Sequence, residues 1–377
     1  MPTQGNDLIT WEPGSGSLYI DGFGDSFDSN VYQPYDLARG MTTGDMLRID
    51  GDRGAFVRLD AWDSGFAKIG AARATFVNVE RVYGSAGNDT IRAGQVDQSG
   101  PDGHGISIFS GAGNDNIVAT RFGDVLDGGI GNDTIWAGPG DDFVQSSEGD
   151  DLIYGGAGQD NIRWGLGSTY DHDPGNDTIF GGAGHDLINV WNTVGNAWGG
   201  KVQGAAVIVH GVLVDGSMNM TARVITADGV SDLRSQGFET GWTHEGDDTV
   251  TGEGANLRGE IGFHWNTRWG DDLLTGSSGA DTLEGGHGAD TITGGAGNDL
   301  ISAANDYFNL SASGDGDADT LIFRAGHGHD TVLAFDVGVD VLDLGGRDYR
   351  ITDTAAGALL TAGQDTILLA GIHDFEV

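Results

Sequence analysis

Between Ser110 and Arg163 the chain repeats every nine residues, as SGAGNDNIV, ATRFGDVLD, GGIGNDTIW, AGPGDDFVQ, SSEGDDLIY and GGAGQDNIR, in one unbroken register. Position six is always aspartate (Asp115, Asp124, Asp133, Asp142, Asp151, Asp160), and position eight is always aliphatic (Ile117, Leu126, Ile135, Val144, Ile153, Ile162). Positions one to six are rich in Gly, Asn and Asp, which tolerate the left-handed backbone of a tight turn. Positions seven to nine make a short strand whose middle side chain points inward. One unit is therefore half a coil, and two units close one turn of a right-handed solenoid. No unit buries its apolar residue alone, so stacking is obligatory. Aspartates eighteen residues apart then superpose, with Asp115, Asp133 and Asp151 on one side and Asp124, Asp142 and Asp160 on the other. A flexible Gly/Asp linker is the competing reading, but it gives no reason for an aliphatic residue two places after every aspartate.

The unit recurs elsewhere, and its interruptions divide the chain. GSAGNDTIR at 84–92 carries Asp89, two units at 172–180 and 181–189 carry Asp177 and Asp186, and THEGDDTVT at 243–251 carries Asp248. An uninterrupted run at 267–302 carries Asp272, Asp281, Asp290 and Asp299. The expected organisation is an N-terminal β region at 1–83, a first repeat segment at 84–189, a β insertion at 190–242, a second repeat segment at 243–302 and a C-terminal capping region at 303–377. The N-terminal region opens on Gly5-Asn6-Asp7-Leu8-Ile9, a degenerate half-repeat, and from Met46 to Val82 it alternates as strands do. It reads as a solenoid extension with longer turns, or as a separate small β domain. In the insertion, Val202 to Val214 and Met218 to Ala227 read as longer strands, either a hairpin or wider coils.

These units resemble the glycine-rich nonapeptide of the RTX (repeats-in-toxin) family. The resemblance implies an all-β fold, a right-handed parallel β-roll or β-helix solenoid with interrupting β insertions. It also implies multiple Ca²⁺, around ten, since a hard ion seeking six to eight oxygens suits carboxylates and open turn carbonyls. The metal ligands it implies are the carboxylates of Asp89, Asp115, Asp124, Asp133, Asp142, Asp151, Asp160, Asp177, Asp186, Asp248, Asp272, Asp281, Asp290 and Asp299. In the first repeat segment the turn glycines that go with them are Gly111, Gly113, Gly128, Gly129, Gly131, Gly138, Gly140, Gly149, Gly155, Gly156, Gly158, Gly181, Gly182 and Gly184. In the second they are Gly276, Gly279, Gly285, Gly286, Gly288, Gly294, Gly295 and Gly297. The last fifty-odd residues, ending Asp374-Phe375-Glu376-Val377, look like the region that follows such repeats in type I secreted proteases and lipases. That resemblance implies a type I secretion channel as the partner during export, and a secreted protein, extracellular or at the cell surface of a Gram-negative bacterium.

Composition narrows the partners. The chain has 377 residues, 68 Gly, no Cys and a formal net charge of −39. So acidic a chain does not bind nucleic-acid phosphates, and an anionic membrane repels it. Aliphatic runs such as Ala205 to Val209 are too short to span a bilayer, so no membrane insertion is expected. Without cysteine there is no disulfide framework. MPTQGNDLITWEPG has neither a charged leader nor an apolar core, so no secretory signal peptide is expected.

No catalytic motif emerges. His244-Glu245 is followed by Gly246-Asp247-Asp248, so His-Glu-x-x-His is incomplete, and no serine has the Gly-x-Ser-x-Gly setting. His185, His287, His327 and His329 fall at variable repeat positions and read as solvent-facing turn residues. Trp164, Trp191, Trp198, Trp242, Trp265 and Trp269 lie in or beside the interruptions. They read either as core caps or as exposed contact faces, with 264–269 the best recognition loop. Two functions remain. The first is a non-catalytic structural, surface-layer, matrix or adhesion component that folds on calcium outside the cell, with self-association or cell-surface glycans as partners. The second is a carbohydrate-active β-helix enzyme, a polysaccharide lyase or epimerase.

Overall fold

A computed structural model describes residues 8–12, 18–21, 45–100, 103–166, 175–192, 207–214, 217–225, 230–243, 246–253, 262–304 and 314–376. The degenerate half-repeat at Gly5–Asp7 and the residues Tyr170, His172, Trp198, His244 and Glu245 lie outside them, as does the side chain of Trp191. The chain divides into two compact units, Met1–Gly165 with Pro174–Asp186, and Leu166–Asp173 with Leu187–Val377.

In the first unit the position-eight residues of alternate repeats build two parallel sheets. Asn116–Val118 pairs with Thr134–Pro139, which pairs with Leu152–Gly158, in a register that advances eighteen residues per coil (Ile117↔Ile135↔Ile153). The other sheet runs Arg81–Tyr83, Ser107–Phe109, Val125–Asp127, Phe143–Gln145, again all parallel. Ile91, Ile117, Ile135, Ile153 and Ile179 of one sheet, and Val82, Ile108, Leu126, Val144 and Ile162 of the other, are fully buried. A three-residue strand offers only its central side chain to so narrow a core, which is why position eight tolerates only aliphatic residues. The N-terminal strands Leu8–Trp11 and Met46–Ile49 continue the second sheet in parallel. Phe56–Ala61, Ser64–Ile69 and Ala72–Val77 form an antiparallel meander whose first strand pairs in parallel with Thr90–Arg92.

The second unit repeats the plan. Thr249–Glu253, Leu273–Thr275, Thr291–Thr293, Thr320–Ile322 and Val341–Asp343 form one parallel ladder. Thr240–Trp242, His264–Asn266, Thr282–Glu284, Leu300–Ser302 and His329–Leu333 form the other. The strands expected at 202–227 are Val207–Val214 and Ser217–Ile225, joined antiparallel as a hairpin and extended by a third antiparallel strand, Val230–Phe238. The hairpin belongs to the ladder, because Val207–Val214 pairs in parallel with Thr249–Glu253. At the C-terminal end Asp365–Ala370 joins His329–Leu333 in parallel, and Gly357–Ala362 and Arg350–Thr354 follow antiparallel. Reversing direction turns the sheet edge back on itself and leaves Arg350–Thr354, with its alternating polar residues, as the edge.

Truncating Ile153→Ala should cost about 2–5 kcal/mol in urea unfolding of the calcium-saturated chain. Ile130→Ala, on an exposed turn position, should change it by about 0.5 kcal/mol or less.

Candidate metal-binding turns

The turn before each strand places its aspartate side chain between neighbouring coils. In every stacked pair the backbone N–H of one aspartate donates to Oδ1 of the aspartate one coil later. Asp89 donates to Asp115, Asp115 to Asp133, Asp133 to Asp151 and Asp151 to Asp177, at 2.7–2.8 Å. A second column runs from Asp124 through Asp142 and Asp160 to Asp186. The other unit carries Asp248 through Asp272 and Asp290 to Asp319 and Asp340, and Asp281 through Asp299 to Asp330. Asp319, Asp330 and Asp340 extend the columns past the units read from sequence: GDGDADTLI and FDVGVDVLD depart from the glycine spelling, whereas AGHGHDTVL keeps it at Gly326 and Gly328. Position five makes an opposed, exposed ladder: Asn132 N–H donates back to the Asn114 side chain, Asp150 N–H to Asn132, and Asn176 N–H to Asp150.

The inner oxygens differ from turn to turn. Among the described residues, Oδ2 of Asp115, Asp133, Asp151, Asp177, Asp248, Asp272, Asp290 and Asp299 is buried and accepts no hydrogen bond. Asp89, Asp124 and Asp281 stand apart. Ser85 donates its N–H to Asp89 Oδ2 (2.5 Å) and its hydroxyl to Oδ1 (2.7 Å). Thr120 gives Asp124 Oδ2 both N–H and hydroxyl at 2.8 Å, and Ser277 gives Asp281 N–H and hydroxyl at 2.6 Å.

The backbone at position two separates the two kinds of turn. It is left-handed at Gly111, Gly129, Gly138, Gly156, Gly182, Gly286 and Gly295, and at the non-glycines Ser147 (φ 71°) and Arg268 (φ 70°). Of these, Gly111, Gly129, Ser147, Arg268, Gly286 and Gly295 precede an aspartate with such an oxygen. Ser85, Thr120 and Ser277 are not left-handed, so their N–H and hydroxyl turn onto the aspartate, the local side-chain-to-backbone bonding that Ser and Thr favour. Ser147 holds its strained conformation with its hydroxyl on Asp127 Oδ1 (2.8 Å).

At position four Gly113, Gly131, Gly140, Gly149, Gly158, Gly184, Gly288 and Gly297 are left-handed, whereas Gly279, in the Ser277 unit, is not. The position-one glycines Gly128, Gly155, Gly276, Gly285 and Gly294 pack on the aspartate of their own unit: a Cβ at Gly128 would sit 2.4 Å from Asp133 Oδ2. A Cβ at Gly131 would lie 2.0 Å from the Gly113 carbonyl of the coil below. Carbonyl oxygens thus line the same turns as the unpartnered carboxylates. Hard oxygen donors, negative charge and spare lone pairs are what Ca²⁺ takes, so the turns fit that ion. Asp330 is answered differently. The His327 Nδ1 lies 2.6 Å from Asp330 Oδ2, and its Nε2 lies 3.1 Å from the Tyr349 hydroxyl. His327, expected to face solvent, is 2% exposed because its ring is held between Asp330 and Tyr349, whereas His185 is exposed as expected.

The tryptophans divide. Trp164 and Trp265 are fully buried, Trp265 lying between Gly241 and Leu283 in the middle of its ladder and not at an end, while Trp269 is exposed. The 264–269 stretch is therefore a strand followed by a turn, not a free loop. Sequence reasoning missed another aromatic set at position nine of successive coils in one sheet: Trp136 stacks on Tyr154 (5.8 Å, 3°), and Tyr154 on Phe180 (5.0 Å, 8°).

Burial pushes the Asp133 carboxyl up to about 8 and Asp290 up to about 9, with neighbouring carboxylates adding to the rise. Burial raises Asp177 and Asp248 in the same direction. A carboxyl whose folded pKa exceeds its unfolded value holds more protons when folded. Protonation therefore favours the cation-free fold, and its stability is lost as pH rises from about 4 through the folded values.

The model of the RTX calcium-binding nonapeptide repeat (4 copies) matches residues 79–95, 109–144, 136–169, 173–191 and 267–301. No curated protein matches the chain. Among solved structures the chain is similar to the crystal structure of the extracellular lipase LipA from Serratia marcescens, at 16% identity and a TM-score of 0.21, over 76% of this chain and 43% of that one. The chain thus spans less than half of that lipase's length.

Two predictions follow from the turn geometry. Asp133→Asn should remove one calcium from the stoichiometry measured by titration calorimetry, whereas Asp124→Asn should leave it unchanged. In excess chelator the thermal midpoint should fall between about pH 5 and about pH 8, and in excess calcium it should rise, since the ion needs the deprotonated carboxylates.

Proposed function

We propose that this chain, an RTX-repeat protein folded as a parallel β-roll, is a secreted protein that folds on Ca²⁺ outside the cell and serves there as a non-catalytic surface, matrix or adhesion component. The observation that carries the reading is the set of buried carboxylate oxygens that accept no hydrogen bond among the described residues. Buried unpaired charge is too costly to keep, so the fold needs either protons or cations. One cation per such position-six oxygen gives eight sites among the described residues. Each site held at ~100 times its dissociation constant adds about 2.7 kcal/mol to the folded state. A few such sites match the usual net stability of a domain, about 5–15 kcal/mol, so calcium decides whether the chain is folded at all.

In a calcium-poor cytoplasm the aspartate turns repel one another and the chain stays threadable through a type I channel. Outside, where calcium is plentiful, the coils close. The position-six aspartates of the framework are buried between coils, and this favours a structural role over a catalytic one. The outward Trp136–Tyr154–Phe180 strip supplies a contact face, and stacked aromatic faces suit sugar rings or a second protein surface. The same strip is the observation that favours the second reading, a carbohydrate-active β-helix.

A calcium titration followed by circular dichroism and light scattering tests the proposal. A coil-to-β transition followed by growth into chelator-reversible particles is expected of a surface-assembly component. A stable calcium-loaded monomer that turns over members of a polysaccharide panel would replace it with the enzymatic reading. A chain that stays folded after exhaustive chelation at neutral pH would remove calcium as the folding cofactor.

A further inference from the structure

We infer that His287, Asp315 and Asp317 form a separate site for a zinc-class divalent cation. The three residues come from stacked turns of the second unit, His287 at position three of GGHGADTIT and the two aspartates at positions two and four of the next coil's unit. A ring nitrogen of His287 and a carboxylate oxygen from each aspartate all lie within 4.8 Å of one another.

The Asp315 side chain is 8% exposed, and its Oδ2 accepts no hydrogen bond. That oxygen faces His287 Nδ1 at 3.4 Å. The remaining bonds fix the turn without using it. Asp315 Oδ1 accepts the Asp317 N–H (3.0 Å), Asp317 Oδ2 accepts the Gly288 N–H (3.0 Å), and Asp336 Oδ2 accepts the Gly316 N–H (2.8 Å). The Trp269 ring lies against the imidazole at 6.2 Å between centroids, which limits its rotation.

Ligand chemistry separates this site from the aspartate turns. Those offer only oxygen, which suits a hard ion, whereas an imidazole nitrogen beside two carboxylates suits zinc and its neighbours. Zinc bonds of about 2.1 Å in a tetrahedron set ligand atoms about 3.4 Å apart, which is the His287–Asp315 separation. Three protein ligands with water as the fourth complete the shell.

The test is titration calorimetry of Zn²⁺ into the full chain held in saturating calcium, with circular dichroism confirming that every sample is folded. Cobalt is titrated in parallel, and its visible absorption reads the ligand field directly. The wild type should take up one zinc equivalent that His287→Gln and Asp315→Asn each weaken at least tenfold, with the cobalt bands lost in both. If Asp315→Asn does not fold, His287→Gln, altered at a half-exposed side chain, carries the test alone. Identical zinc isotherms in wild type and His287→Gln would overturn the inference. So would calcium displacing zinc at equal concentration, which would assign these groups to the neighbouring Asp290 turn.

Discussion

Each position-six aspartate is a half-used carboxylate. One oxygen is fixed by a backbone N–H of the coil before it, and the other is carried into the interior with whatever partner the turn supplies. The first bond sets the spacing and register of successive coils. The second oxygen sets the terms on which the coil exists, because a desolvated anion costs several kcal/mol unless it is neutralised or hydrogen-bonded. The turns divide in three ways. Ser85, Thr120 and Ser277 answer with a hydroxyl and an N–H, His327 answers with an imidazole, and turns such as those of Asp133, Asp151, Asp290 and Asp299 leave the oxygen without a hydrogen bond.

The ladders on the two sides of each aspartate run in opposite directions. The inner one passes hydrogen bonds forward from Asp115 to Asp133, and the outer one passes them back from Asn132 to Asn114. A coil held by one bond could pivot about it. Two opposed bonds separated by one residue hold both its height and its rotation, while the buried position-eight column holds its depth. The outer ladder lies in water and contributes little energy per bond, but it gives position five its preference for Asn and Asp, the short side chains that reach the adjacent backbone.

The solenoid was legible in the sequence because one period controls both turn and strand: aspartate at six and an aliphatic residue at eight cannot keep step for six units by accident. The division among the aspartates was not, because it depends on the backbone angle at position two. Ser85 and Ser147 have the same side chain, yet Ser85 caps its aspartate and Ser147 turns left-handed toward Asp127. Asp127 ends the paired strand of the preceding coil, 20 residues earlier, so the deciding contact is non-local. Burial of His327 likewise depends on Tyr349, twenty-two residues later. The Trp136, Tyr154 and Phe180 strip was available in principle, since all three are ninth residues of their units. An eye set on aspartates passes over it.

The aspartate-to-backbone bond is indifferent to how much chain lies between its partners. The same contact joins residues 18 apart at Asp115 and Asp133, 21 at Asp319 and Asp340, 24 at Asp248 and Asp272, 26 at Asp151 and Asp177, 29 at Asp290 and Asp319, and 31 at Asp299 and Asp330. Closing a longer corner costs only about 0.6 kcal/mol per doubling of its length, less than one metal site returns. The frame therefore behaves as a rack with open corners. Lineages of such a chain can lengthen, shorten or exchange the segments between repeats, and acquire new surface chemistry there, while the coils that carry them keep their place.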